Sequence, residues 1–598
     1  MKRAVTLIVL VLASVPPARS LDVIRVNQLG YLPGAVKVAV LLCSDSATAC
    51  TSFVLRRTPD RNAVFRSVAV TPCAPYGMFP RAYRLDFSAF RGNGTYFLEA
   101  CGARSPGFRI GADVYDGTAD VLLAYMRQQR SGYNPVLGDS CHTRDGYVIY
   151  GGALDSSFIN VAGGWHDAAD YLQYVTTSAT AVFQLLFAYE MFPAAFGDVH
   201  DAAGLPAANG VPDVLDEARW GLDWLDRMNP RKGEMYNQIA DDRDHLGFRL
   251  PTLDSVDYGF GRGRPVYACT GAPQGLLQHV NRSTGLASTA GKFASAFALG
   301  ARIIKPYDPG FAARLAPKAL DAYDTGKAHP GVCQTAPCRA PYFYEEENWK
   351  DDMQLAAASL FALTGKNAFL SDAEAYGREE GVIPWMVENT ARHYQWYPFV
   401  NIGHYLLASG RGRAAAKQFL LLMRSGIERV DRRGREHPFR AGFPFIWCSN
   451  NYVSATLAAI ILYRTASGER SYDTLEAAMR DWLFGCNPWG TSMVIGLPNN
   501  GTFPRDPHSA FSHLAGIPVV GGLVDGPVRA DIFSTLKGVH LSRTDPFAPF
   551  QSAEAVYHDD WADYSTNEPT MDGTAGLVFS LAALASGRPA PAALPARK

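Results

Sequence analysis

The stretch SPGFRIGADVYDGTADVLLAYMRQQR, residues 105–130, changes its periodicity midway. Upstream of it, from Asp22 to about Ile110, apolar residues alternate or run briefly in VIRVNQLGYL, VKVAVLL, SFVLRR, YRLDF and GTYFLEA, separated by Gly, Pro and Asn turns. Short strands at that spacing predict an antiparallel β-sandwich of about a hundred residues. Downstream the helical period takes over and persists. Candidate helices follow one another in TTSATAVFQLLFAYEMF, VPDVLDEARWGLDWLDRM, TAGKFASAFALGARII, FAARLAPKALDAYDTG, DDMQLAAASLFALTG, GRAAAKQFLLLMRSG, NYVSATLAAIILYRTASG, SYDTLEAAMRDWLFG and TAGLVFSLAALASG. Several open on Ser, Thr or Asp and stop at Gly, as capped helices do. Ten or more helices joined by long loops suggest helical hairpins closed into a large α-barrel, with the chemistry in the loops at one end.

The chain of 598 residues is too long for one ordinary core. A 47% hydrophobic and 19% charged composition describes a folded protein and excludes a disordered one. Lys and Arg total 56 against 57 Asp and Glu, so there is no electrostatic footprint for nucleic acid or an anionic membrane, and a neutral partner fits best. Ten Trp and 28 Tyr suit a protein that stacks rings on sugars, although a large core also uses them.

Lys2 and Arg3 precede an apolar run from Ala4 to Val15 and a small-residue stretch ending at Ser20, the layout of a secretory signal peptide over residues 1–20. No other stretch is long and apolar enough to span a bilayer, which predicts a secreted or periplasmic protein. The tail GRPAPAALPARK, with residues 589–598 beyond the last helix, reads as a disordered end. Ten cysteines in an exported chain allow disulfides, with Cys43–Cys50, Cys73–Cys101 and Cys333–Cys338 as plausible pairs. Cys269, Cys448 and Cys486 fit buried thiols equally well.

Within the helical region, GGWHDAADYLQYV, residues 163–175, sets Asp167 and Asp170 three apart, which places them on one face of a helical turn, where their charges repel. This segment resembles the GGWxDAGDxxxYV signature of glycoside hydrolase family 9. NGVPDVLDEARWGLDWLDRM is similar to that family's DE…WGLDWL helix, DWLFGCNPWGTSMVIG to its NPxGxSYVxG segment, and DYSTNEPTMDGTAGLVFSLAAL to its terminal DYxxNExxxDxxAxLxxxLA motif. VIRVNQLGYLPGAVKVAVL resembles the immunoglobulin-like module of its bacterial members. Five blocks in the family's order cover nearly the whole mature chain. The resemblance implies an immunoglobulin-like β-sandwich over 22–110, an (α/α)6 barrel over 113–588, and inverting hydrolysis of β-linked glycans.

Inverting hydrolysis needs a carboxylate that deprotonates water and a carboxylic acid, roughly 6.5 to 9.5 Å away, that protonates the leaving oxygen. The resemblance assigns the base to Asp170 and the acid to Glu568, with Asp167 holding the water from the other side. A working acid must stay protonated near neutral pH, so its loop should bury it or set it beside another carboxylate such as Asp572. Asn567 and Tyr564 are candidates to position it.

For sugar contacts the candidates are Trp165, Trp349, Trp396, Trp447, Tyr557 and His508, since rings in loops can stack on apolar pyranose faces; about half should prove to be core. Trp220 and Trp224 sit at helical spacing and read as packing. The family's PHHR is DPHSAFSHLAG here: His508 matches its first His, while Ser509 and Ala510 replace the second His and the Arg that contact sugar in relatives. Relatives with the module often hold a structural zinc. Cys141, His142 and His166 match three of its ligands, whereas QRSG puts Ser131 in place of the remaining Cys, a poor zinc ligand. Asp351 and Asp352 align with the region that binds calcium in relatives. No cofactor is needed for the chemistry itself.

Three functions follow. The first is an endo-β-1,4-glucanase on cellulose-like or mixed-linkage glucan, acting as a monomer on a polysaccharide or oligosaccharide. The second is an exo-acting glycosidase of the same fold, its cleft closed by inserts at 233–275 and 326–350. The third is a noncatalytic glycan-binding protein.

Overall fold

The computed structural model describes residues 21–341, 344, 346–380, 399–410 and 415–587. The expected leader, Trp396 and the tail 589–598 lie outside the described residues.

Nine strands form the N-terminal sandwich: β1 (Val23–Arg25), β2 (Val38–Cys43), β3 (Phe53–Arg57), β4 (Ala63–Ser67), β5 (Val70–Cys73), β6 (Arg81–Asp86), β7 (Gly94–Ala100), β8 (Ala103–Arg104) and β9 (Phe108–Ile110). One sheet has the order β1-β2-β6-β5 and the other β4-β3-β7-β8, with β9 also on β7. Strand β2, VAVLLC, is apolar throughout because it is buried on both faces. Ala39, Leu41 and Cys43 enter the sandwich core, while Val40 and Leu42 enter the core of the helical region. Polar ties reinforce this junction: Asn27 Nδ2 donates to Asp481 Oδ1 at 2.8 Å, and Arg480 Nη2 to the Val36 carbonyl at 3.0 Å.

Twelve helices of ten residues or more follow among the described residues, interleaved with short strands and two six-residue helices: α1 (Thr118–Gln128), α2 (Val175–Met191), α3 (Asp213–Met228), α4 (Ala287–Ile303), α5 (Pro309–Ala328), α6 (Lys350–Thr364), α7 (Asn367–Glu380), α8 (Phe399–Ala408), α9 (Ala416–Arg433), α10 (Ser449–Ser467), α11 (Asp473–Leu483), and, after the short α12 (Ala510–Ala515) and α13 (Ala530–Thr535), α14 (Met571–Ser586). Helices α2, α4, α6, α8, α10 and α14 each pack on the next, and α14 closes the ring against α2. The other six long helices lie outside them, which is an (α/α)6 barrel. Sequence explains the sorting: α2 and α14 are apolar on nearly every side and almost wholly buried, while α3 carries an apolar stripe against a charged face.

In such a ring the inner helices run the same way, so the loops that precede them share one rim. Four of these loops carry the residues that matter below: 163–174 into α2, 329–349 into α6, 440–448 into α10, and 555–570 into α14. Strands β10 (Gly132–Asn134) and β11 (Asp139–Cys141) form a hairpin of their own, while the insert at 233–275 folds as strands that pair with β12 (Tyr147–Ile149). Strands β14 (Tyr236–Ile239) and β15 (Pro265–Ala268) form a sheet of order β12-β15-β14-β13, in which β13 (Gln173–Tyr174) is the strand between the Asp167–Asp170 segment and α2.

Candidate active site

The 163–174 loop is fixed by packing before any chemistry enters. Gly164 has φ 73°, and a Cβ there would stand 2.7 Å from the Trp224 ring. Its carbonyl accepts from Trp220 Nε1 at 2.8 Å and from the Ser131 amide at 2.9 Å. Trp165 is fully buried, with Nε1 facing Glu217, so it is a core residue and not a sugar platform. The two aspartates do not lie on a helix as their spacing predicts. The Asp167 amide bonds the Leu172 carbonyl, the Leu172 amide bonds Asp170 Oδ1 at 3.0 Å, and helix α2 begins only at Val175. A tight turn, closed by the aspartate side chain itself, brings the pair together.

Asp167 is buried, its Oδ1 accepting from Thr177 Oγ1 at 2.6 Å and its Oδ2 from the Tyr344 hydroxyl. Burial first, then the charges of Asp572 and Asp170, push its carboxyl well above the usual range. Asp170 is more open, with a side chain 20% exposed and Oδ2 at 3.5 Å from His245 Nε2.

Glu568 reaches the same turn from the far end of the chain. Its Oε1 accepts from the Ala169 amide at 2.9 Å. Ala169, where the signature has Gly, is not among the positive-φ residues, so its Cβ is tolerated. Strand pairing aligns the two halves: β16 (Leu523–Val524) runs antiparallel to β17 (Pro569–Thr570), the Asp525 amide bonds the Glu568 carbonyl at 2.8 Å, and the Met571 amide bonds the Asp167 carbonyl at 3.0 Å. Burial, then Asp525 and Asp170, hold the Glu568 carboxyl well above its ordinary value. Asp525 is itself buried and raised, and Asp572 beside it is pushed up to about 6, chiefly by burial. Asn567 anchors the loop, its Nδ2 donating to the Asp506 carbonyl at 2.8 Å and its Oδ1 accepting from Tyr557 at 3.0 Å. Tyr557 is therefore buried support, a second ring that sequence assigned to sugar and the structure assigns to the core.

The remaining candidates divide. Trp447 is 40% exposed and stacks on Tyr564, with centroids 6.1 Å apart and planes at 13°. His508 donates through Nδ1 to the Trp561 carbonyl at 2.5 Å and lies near Tyr564. Phe248, from the insert, packs against His508, His513 and Trp561, and His513 stacks on Trp561 with centroids at 3.8 Å. Trp349 instead packs edge-on against Tyr376 at the start of α6. Sequence reading missed Phe248, Trp561, His245, Tyr344 and Asp525. None falls in a recognisable motif, and only their position in inserts or beside motif blocks hinted at a role.

One turn from the aspartates, Cys141, His142 and His166 converge, their ligand atoms all within 4.8 Å of one another. His142 Nδ1 lies 2.9 Å from His166 Nε2, and its Nε2 lies 2.9 Å from Asp254 Oδ2. Burial holds both imidazoles below their usual pKa and so neutral, as ligands must be. Ser131 Oγ and His166 Nδ1 are buried without a hydrogen-bond partner. This sulfur and nitrogen set, with a carboxylate behind one imidazole, suits zinc with three protein ligands.

Asp351 and Asp352 do not offer an empty calcium cage. Lys292 Nζ is buried against Asp352 Oδ2 at 2.8 Å and against Glu346, so an ammonium supplies the positive charge that an oxygen-only site takes from a metal. The cysteine pairs expected from sequence are also replaced. All ten thiols are free, with Cys50 beside Cys101 and Cys269 beside Cys333.

The sequence profile for Glycosyl hydrolase family 9 matches residues 115–581, and that for the cellulase N-terminal ig-like domain matches 20–105. The chain belongs to glycosyl hydrolase family 9. This hydrolase is 25% identical to Endoglucanase D of Acetivibrio thermocellus over 94% of its own length and 83% of the relative's, and 28% identical to Endoglucanase C of Cellulomonas fimi, over 95% and 52%. It is 25% identical to a xyloglucan-specific endo-beta-1,4-glucanase of Bacteroides ovatus over 93% and 92%. A metagenome-derived family 9 endoglucanase superposes with a TM-score of 0.74 at 28% identity, covering 94% of this chain and 99% of that one. A Zn-binding triple mutant of the family 9 endoglucanase J30 aligns at 26% identity with a TM-score of 0.72, covering 93% of this chain and all of the other. Among the described residues no helix is long and apolar enough to cross a membrane.

Proposed function

We propose that this hydrolase cleaves β-1,4-linked glucan with inversion, as an exported, monomeric enzyme. Asp170 is the general base for the attacking water, Glu568 the general acid for the leaving oxygen, and Asp167 holds the water and the turn. The observation that carries this reading is the hydrogen bond from the Ala169 amide to Glu568. It sets a buried, proton-retaining carboxyl against the same turn that presents a more open aspartate, pushing apart the environments of two carboxyl groups as acid and base roles require. The endoglucanase names of the relatives support glucan as substrate. Trp447, Tyr564 and His508 supply ring and edge for the sugar. Zinc, where bound by Cys141, His142 and His166, is structural: it would fix the chain just before Asp167, and it takes no part in bond cleavage.

The second reading, exo action, is favoured by Phe248. The insert places this ring among His508, His513 and Trp561, so the insert adds bulk on the side of His508, as an end-closing loop would. Product analysis on mixed-linkage glucan, carboxymethyl cellulose, xyloglucan and cello-oligosaccharides separates the two. Early viscosity loss with mixed oligomers supports endo cleavage; a single small product supports exo. Asp170→Ala and Glu568→Gln should each lower kcat by about a hundred- to ten-thousandfold with the fold retained, given the usual scale of acid and base contributions. Comparable turnover in either variant overturns the assignment.

A further inference from the structure

The carboxyl groups of Asp167, Asp525, Asp572 and Glu568 all stand raised, burial being the first cause and mutual repulsion adding to it. Asp170 stands among these groups, and a general base works only when ionised.

We infer that His245 is a positioning residue for the reaction, its imidazolium pairing with Asp170 to keep that carboxylate ionised and aimed at the water. The inference rests on the reading of Asp170 as the base. His245 Nε2 lies 3.5 Å from Asp170 Oδ2. Its place is built from both sides. Asp244 Oδ2 accepts from the Tyr171 amide at 2.7 Å, so the residue before His245 is tied to the residue after Asp170, and the two side chains are brought opposite each other. Tyr258 Oη donates to Asp244 Oδ1 at 3.2 Å, and Arg249 bonds the Asp244 and Gly247 carbonyls at 3.0 Å each while its Nε meets Asp254. The loop tip is therefore staked down although His245 itself is half exposed.

Among the described residues, the charged groups that face His245 include Asp170 from the turn and Asp244 and Asp242 from its own loop, and Asp170 in turn faces Glu568, Asp167, Asp244 and His508. Burial works against a charge on His245, but the hydrogen bond and charge of Asp170, with Asp244 and Asp242 behind, push it up to about 9, so it is a cation wherever the enzyme is expected to work. Burial leaves His508 below its ordinary value, at about 4, and neutral, so it does not share this task.

A cation beside a carboxylate favours the ionised form. Removing the charge should let Asp170 take a proton more readily and move the acid limb of the kcat/KM profile up by about one pH unit, an approximately tenfold loss well below the limb. The test is the pH profile of the full chain on a soluble cello-oligosaccharide for wild type, His245→Gln, His245→Arg and Asp170→Ala. The expected result is a limb raised in His245→Gln and returned toward wild type by His245→Arg. An unmoved limb in His245→Gln, whatever the plateau, overturns the inference, as does a raised limb that Arg fails to restore. Wild-type turnover in Asp170→Ala instead overturns the base assignment beneath it, so the two failures are told apart.

Discussion

Gly163 and Gly164 stand side by side ahead of Asp167, and substituting each by Ala separates backbone strain from steric conflict. Gly163 has φ 113°, and an added Cβ would meet only Arg227 Nη1 at 3.8 Å. Its Ala variant therefore carries the conformational cost alone, about 1–3 kcal/mol. Gly164 has φ 73°, and its Cβ would stand 2.7 Å from two atoms of the Trp224 ring and 3.0 Å from Gln173 Nε2. Trp224 is 1% exposed and has no room to retreat, so overpacking adds about 1–3 kcal/mol to the strain. The expected order is wild type, then Gly163→Ala, then Gly164→Ala, with the second step roughly as large as the first. Activity should follow, because displacing the Gly164 carbonyl disturbs its bonds to Trp220 and Ser131 and passes the shift to the aspartate turn. Thermal unfolding followed by near-ultraviolet circular dichroism, with kcat on a chromogenic cellobioside, reads both. A Gly164→Ala protein as stable and active as Gly163→Ala would refute the claim that packing against Trp224 sets this turn.

Two other outcomes follow. Asp572 has a carboxyl raised from 3.8 to about 6, so the folded state binds more protons than the unfolded one between those values, and stability falls as pH rises through that window. Asp572→Asn removes this dependence: its free energy of unfolding in denaturant should gain on wild type from pH 4 to pH 7, by up to about 3 kcal/mol, and a constant difference across that range contradicts the burial argument. Purified protein should take up one zinc ion with reversible loss to chelator, and Ser131→Cys should bind it at least tenfold more tightly by completing a four-ligand set; absence of zinc uptake by wild type at micromolar free metal rules the site out.

Much of this arrangement is legible in the chain. The switch of period near Ile110 marks where strands give way to helices, and the apolar character of segments such as TAGLVFSLAALASG fits an inner ring. Helices α7 and α8 escaped notice because NAFLSDAEAYGREE carries a weak apolar stripe and FVNIGHYLLA follows an aromatic-rich stretch that reads as loop. The sheet formed by β12 to β15 is not legible because its strands are only two to four residues long and β12 pairs with β15 across more than a hundred positions. Asp170 and Glu568 announce themselves by motif, but rings do not announce their partners. Trp165 and Tyr557 look like Trp447 in sequence, and only three-dimensional packing separates a buried prop from an open platform. His245 and Phe248 are bound to their targets by contacts hundreds of positions apart in one case and tens in the other, which no local pattern records.

Strand β2 sends alternate side chains into two different interiors, and this changes what the N-terminal unit is for. Cys486 Sγ approaches the Val38 carbonyl from the barrel side, and Val38, Val40 and Arg84 line one small cavity jointly with Phe439, Ala477 and Ala478. A module hung on a linker is cargo and can be trimmed; this one is masonry. A barrel cut free at residue 110 would carry an oily scar where Val40 and Leu42 had been, so the sandwich should be kept whenever the enzyme is shortened, fused or shuffled.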